Sequence, residues 1–126
     1  MTNDPKHQVL YALYSEYQKD VPDMRTVTEG SLELERPVFA ASLLKLQNEG
    51  YIQGLIWTPP DEMRGNKIDA VKMDNVFLTQ QGVEYVEKMA GIEASEKASA
   101  KILHLAKQVG IFGMSILKTF ILSQLH

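Results

Sequence analysis

Lys45 and Asn48 stand three residues apart, and Val38 and Ala41 precede them at helical spacing. On a helix these four share one face. Their chemistry suits the edges of bases: asparagine pairs with adenine, lysine with guanine or a phosphate, and alanine or valine can meet a thymine methyl. A second group, Arg64, Gly65, Asn66, Lys67 and Lys72, lies in a polar stretch whose cations could reach a phosphate or a minor groove. Acids oppose both sets. Glu49 lies beside the first, and Asp61, Glu62, Asp69 and Asp74 are interspersed with the second. The plain alternatives are a solvated helix face with one lysine and an exposed mixed-charge loop. Tyr51 and Trp57, at even spacing, fall on one side of a strand. Core or interface packing suits them better than base stacking, which needs a basic groove around it.

Catalytic patterns are missing. His7, His104 and His126 are scattered, and the chain has no HExxH, no glycine-rich phosphate loop and no Gly-x-Ser-x-Gly. Asp61, Glu62, Asp69 and Asp74 lack the ordered spacing of a calcium loop. The expectation is a non-enzyme with no metal and no cofactor. The absence of cysteine excludes disulfides and thiolate metal sites and points to the cytoplasm. The start, "MTNDPKHQVL", has neither the basic residues nor the apolar core of a signal peptide. The most apolar run, "VGIFGMSILKTFILSQL", has 17 residues and carries Lys118. It is too short and too interrupted for a membrane span, so no membrane partner is expected.

Charge restrains the nucleic-acid reading. The net charge is −3, where a strongly basic chain would have suggested nucleic acid directly. Residues 1–35 carry net −4, residues 36–72 net +1 and residues 73–126 net 0. Only the middle stretch is positive, and barely.

The elements that must position these groups follow from local chemistry. Asp4 can cap a helix that Pro5 opens, and Val9, Leu10, Leu13 and Tyr17 give it an apolar face. It should end near Lys19, before Val21-Pro22-Asp23. Residues 23–35 read ambiguously: Thr26-Val27-Thr28 as a short strand, Gly30 as a turn, residues 31–35 as the start of a short helix. A second helix spans 36–49, with Phe39, Ala40, Leu43 and Leu46 inward and Gly50 closing it in the left-handed conformation. Residues 51–57 read as a strand, the polar stretch 61–75 as a loop or wing, and Val76-Phe77-Leu78 as a return strand. Thr79 caps a helix that ends at Gly91.

From Ile92 onward the pattern is helical. Ile102, Ala106, Val109, Gly113, Ile116 and Phe120 form a seam with steps of four, three, four, three and four. That spacing suits a helical partner. Lys101, His104, Lys107, Ser115 and Lys118 lie off it, while Ile111 and Leu122 widen the apolar arc. The expected architecture is mainly α (α+β): a winged helix–turn–helix over residues 1–91, with a two-stranded wing, followed by a long terminal helix over 92–126. The seam predicts a homodimer through residues 100–122. A two-fold pair would suit a palindromic site on double-stranded DNA, with Lys45, Asn48, Arg64, Lys67 and Lys72 as contacts. A protein-interaction module on the same fold is the competing expectation.

"LLKLQNEGYIQGL" followed by "VFLTQQGVEYVEKM" resembles the YjcQ-like family of small bacterial and phage winged-helix proteins, over about residues 6–90. The resemblance rests on Glu49, Gly50, Tyr51, Ile52, Gly54, Leu78, Thr79, Gly82 and Tyr85. The long wing and the apolar tail from Gly110 depart from the family pattern. The resemblance implies the winged-helix fold and, less directly, a small transcriptional regulator.

Overall fold

The computed structural model describes residues 1–58 and 70–125. It is a mainly helical, winged-helix-like architecture with a small antiparallel hairpin and a C-terminal helical extension. Helix α1 (Pro5–Tyr17) opens as its sequence dictates: Pro5 takes the first turn and the Asp4 carboxylate accepts the His7 amide at 2.9 Å. It was expected to show one apolar face, yet Val9, Leu10, Tyr11, Ala12, Leu13 and Tyr14 are all buried. A helix surrounded on every side is a core helix rather than a surface one. It packs against α3 (Arg36–Asn48), α4 (Gln80–Ala90), α5 (Ala98–Ile111) and α6 (Ser115–Leu122).

At the end of α1 the fully buried Glu16 carboxylate accepts the Asp23 amide at 2.8 Å. Its other oxygen lies 3.2 Å from Lys19 Nζ. A buried carboxylate needs such partners, and here they fold the chain back after Tyr17. The short strand at residues 26–28 does not form. Asp23 caps a 3₁₀ turn at Met24–Thr26, and Thr28 caps the single-turn helix α2 (Glu29–Leu32) in a reciprocal box with Ser31. Gly30 therefore sits inside α2 rather than at a turn. Glu33, at φ 52°, starts the turn 33–35 that leads into α3.

Helix α3 stops where Gly50 takes φ 83°. The Gly50 amide donates to the Gln47 carbonyl and the Tyr51 amide to the Leu46 carbonyl. These are the two bonds that close a helix around a left-handed glycine. The strand expected over 51–57 is broken into β1 (Ile52–Gln53) and β2 (Ile56–Thr58). Gly54, at φ 84°, makes the break: a Cβ there would lie 1.9 Å from the Asn75 carbonyl oxygen. Gln47 of α3 accepts the Leu55 amide at 2.9 Å. Strand β2 pairs with β3 (Ala70–Lys72), Trp57 opposite Val71, and β1 pairs with β4 (Phe77–Leu78), Ile52 opposite Leu78.

Thr79 caps α4 as expected and does more. Its hydroxyl accepts the Gly82 amide at 3.0 Å and donates to the Gly50 carbonyl at 2.6 Å, while its own amide donates to Tyr51. Gly82 comes so close that a Cβ would sit 2.3 Å from the Tyr51 carbonyl oxygen. The Leu-Thr-x-x-Gly stretch thus joins the start of α4 to the α3–β1 junction.

The terminal extension folds as two helices, not one. Helix α5 ends at Ile111, and Gly113 takes φ 79°. The Gly113 amide donates to Gly110 and the Met114 amide to Val109, the same pair of bonds that closes α3. Helix α6 then returns against α5, followed by a 3₁₀ turn at Ser123–Leu125. Ile102, Leu105, Val109, Leu117 and Ile121 share one buried cluster with α1, α3 and α4, so the hairpin α5–α6 completes the core.

Candidate nucleic-acid interface

Helix α3 sits behind α2 and the turn 33–35, with Phe39, Ala40, Leu43 and Leu46 buried against the core. That leaves the opposite face outward. Lys45 and Asn48 are exposed and Val38 and Ala41 are half-buried, as the spacing predicted. The face is short, and its C-terminal end is closed by the Gly50 and Tyr51 amides, while Glu35 makes no side-chain cap at the other end.

Its electrostatics differ from the reading of the sequence. Glu49 is not a bare carboxylate beside Asn48. It accepts a 2.7 Å hydrogen bond from Lys6 Nζ, at the start of α1. That bond, more than offsetting the effect of burial, holds the Lys6 ammonium above its usual range. Repulsion of a phosphate by Glu49 is correspondingly reduced. Nothing in the local sequence links residues 6 and 49. At the other end of α3, Glu33 and Glu35 are exposed beside Arg36, so that end is acidic.

Of the other expected contacts, Lys72 is exposed on β3, across the hairpin from the half-exposed Ile56. Arg64 and Lys67 lie outside the described residues, as does the side chain of Trp57. The half-buried Tyr51 stacks on the half-buried Tyr85 with ring centroids 4.6 Å apart, so one face of its ring is already covered. Tyr85 Oη in turn lies 2.7 Å from His7 Nε2, and His7 Nδ1 lies 2.6 Å from Asp4. This chain clamps the start of α1 to α4 beside the wing. Burial alone would raise the Asp4 pKa, but the backbone and side-chain hydrogen bonds from His7 bring it below the usual value.

The six seam residues do not form one surface. Ile102, Ala106 and Val109 are buried inside their own chain, Gly113 forms the turn between helices, Ile116 is exposed and Phe120 is half-buried. The periodicity was real, but Gly113 ends the helix in the middle of it. The large apolar side chains of the extension that do face outward are Leu103, Ile111, Phe112, Ile116 and Leu125. The signal that could have found them is Gly113 itself, read as a stop in the way Gly50 was.

Among the described residues, no three His, Asp or Glu side chains converge as metal ligands, and no helix is long and apolar enough to cross a membrane. No protein-family model, curated protein or solved structure matches the chain.

Proposed function

We propose that this chain is a small cytoplasmic, non-enzymatic DNA-binding protein of the winged-helix type, related to the YjcQ-like family and acting as a transcriptional regulator. The observation that carries the reading is the outward face of α3, where Lys45 and Asn48 stand exposed on a helix held between a helical turn and a β-hairpin. In this reading Asn48 meets an adenine edge, Lys45 a guanine or a phosphate, and Ala41 a thymine methyl. Lys72 acts as a phosphate contact from β3, and Arg64 and Lys67 are the further cations assigned to phosphates. The tie between Lys6 and Glu49 supports the reading by occupying the acid nearest the face.

The test is a fluorescence-anisotropy titration with random duplex DNA at low and moderate salt. Binding that weakens steeply with added salt is expected, because phosphate contacts release counterions. Absence of binding at low salt contradicts the proposal.

A second reading, a winged-helix module for protein partners, is favoured by the acids around α3 and by the apolar residues left outward on α5 and α6. A homodimer through the hairpin would have to use Leu103, Ile111 and Phe112 together with Ile116, the one apolar seam side chain that is exposed. It would also bring Lys107 and Lys118 of two copies together, which like-charge repulsion opposes.

A further inference from the structure

We propose that the groove between α5 and α6 docks an amphipathic helix of a partner protein, one whose apolar stripe is flanked by carboxylates. The groove is a cleft of about 410 Å³ lined by Leu103, Lys107, Gly110, Ile111, Lys118 and Leu122. Its floor is low because Gly110 and the buried Ala106 have little or no side chain. The Lys118 side chain lies across this floor over Gly110, where a Cβ would meet its Cδ at 3.0 Å and its Nζ at 3.3 Å, so its ammonium is held inside the cleft. Leu103 is 52% exposed and Ile111 66%. Large apolar side chains lining a groove between paired helices are the receiving half of helix-in-groove recognition.

Charge decides which helix. From Lys97 to the end the chain has four lysines and no acid. Lys101 is used within the fold, its ammonium 2.8 Å from Glu87, and His104 lies 3.6 Å from Glu96. Lys107 and Lys118, by contrast, have no ion-pair partner among the described residues, and both border the groove. An apolar groove whose charged lining residues are both cations selects a partner that brings apolar side chains and carboxylates together. It disfavours a second copy of itself. Helix α6, the shorter wall, is 8 residues long, so about 12 Å of groove is available, enough for about two turns of a partner helix.

The test uses the full chain and two labelled, helix-forming peptides of about 20 residues, each with leucines at alternating three- and four-residue spacing. One has glutamates on both flanks of the stripe, the other lysines at the same positions. Saturable binding of the glutamate peptide is expected, with the lysine peptide at least about tenfold weaker. Leu103→Glu should weaken the glutamate peptide by about tenfold or more. The double variant Lys107→Glu, Lys118→Glu, at two exposed positions, should invert the preference so that the lysine peptide binds better. A merely structural role would not produce that inversion, and circular dichroism melts confirm that each variant folds. No saturable binding, equal affinity for the two peptides, or a preference unmoved by the charge swap overturns the proposal. Co-sedimentation with phosphatidylglycerol vesicles in place of peptide binding overturns it in favour of a membrane surface. A two-copy mass by light scattering, lost in Leu103→Glu without any peptide binding, overturns it in favour of self-association.

Discussion

The α3 face and the α5–α6 hairpin make opposite use of charge. Residues 1–96, which carry the winged-helix elements, hold nine basic and sixteen acidic side chains, while residues 97–126 hold four lysines and no acid. The shape associated with reading DNA therefore sits on the acidic part of the chain, and the cations sit on the part with the exposed apolar residues. Shape and charge, which reinforce one another in a strongly basic DNA binder, are separated here. A fold alone does not assign a function, and this distribution makes the identity of individual side chains decisive. On α3 these are Lys45 and Asn48; on the hairpin they are Leu103, Lys107, Ile111 and Lys118.

The two regions differ in surface but share a core, and the largest expected effect tests that. Leu105 is fully buried in the hairpin beneath α1. Leu105→Ala should destabilise the whole chain by about 4 kcal/mol, through lost transfer energy and the cavity left behind. Denaturant unfolding should stay a single transition with a lower midpoint. Two separate transitions would show the hairpin to be independent of the winged-helix part. A smaller loss is expected at the α3–β1–α4 junction: Gly82→Ala places a Cβ against the Tyr51 backbone and should cost about 2 kcal/mol, read from the same denaturant midpoint.

Alkaline pH probes the seat of α1 between the two regions. Burial pushes the Tyr11 phenol well above its usual 10.0. Burial and the 2.8 Å hydrogen bond to Glu87 do the same for Tyr14. A raised folded pKa means that the unfolded chain loses its proton first. Stability is thus fully present below pH 10 and declines as pH rises above it, by up to about 1.4 kcal/mol per pH unit for each tyrosine. Tyr14→Phe should flatten that decline in pH-dependent melts, and an unchanged slope would contradict the assignment. The smallest effect belongs to Gly113→Ala. It meets open space but keeps a positive φ, so a loss of about 1 kcal/mol in the denaturant midpoint is expected.

What was legible in the sequence was local. The caps at Asp4, Thr79 and Gly91, the stop at Gly50 and the inward and outward faces of α3 all follow from side chains acting within a few residues. The misreadings came from two sources. One is local phase: Gly113 has the same left-handed geometry and the same closing bonds as Gly50, but the apolar spacing on either side stays in phase across it and hides the stop. The other was tertiary. The all-round burial of α1 depends on α3 to α6 packing around it, and the Lys6–Glu49 pair joins positions 43 residues apart. Residues 26–28 have strand-forming side chains, but Thr28 finds a better use in capping α2, and that competition is settled by Ser31. For the candidate site, the α3 half was readable because helical spacing defines a face. The hairpin half was not, because its outward residues are defined by what α1 and α6 leave uncovered.

The central claim is that the α3 face, rather than the basic hairpin, meets DNA. The most direct measurement is duplex binding by three proteins in parallel: the parent chain, Lys45→Glu, and Lys107→Glu with Lys118→Glu. The account predicts a loss of about tenfold or more in affinity for Lys45→Glu and little change for the hairpin variant. Unchanged binding in Lys45→Glu together with a collapse in the hairpin variant would contradict it and move the nucleic-acid contact to α5 and α6.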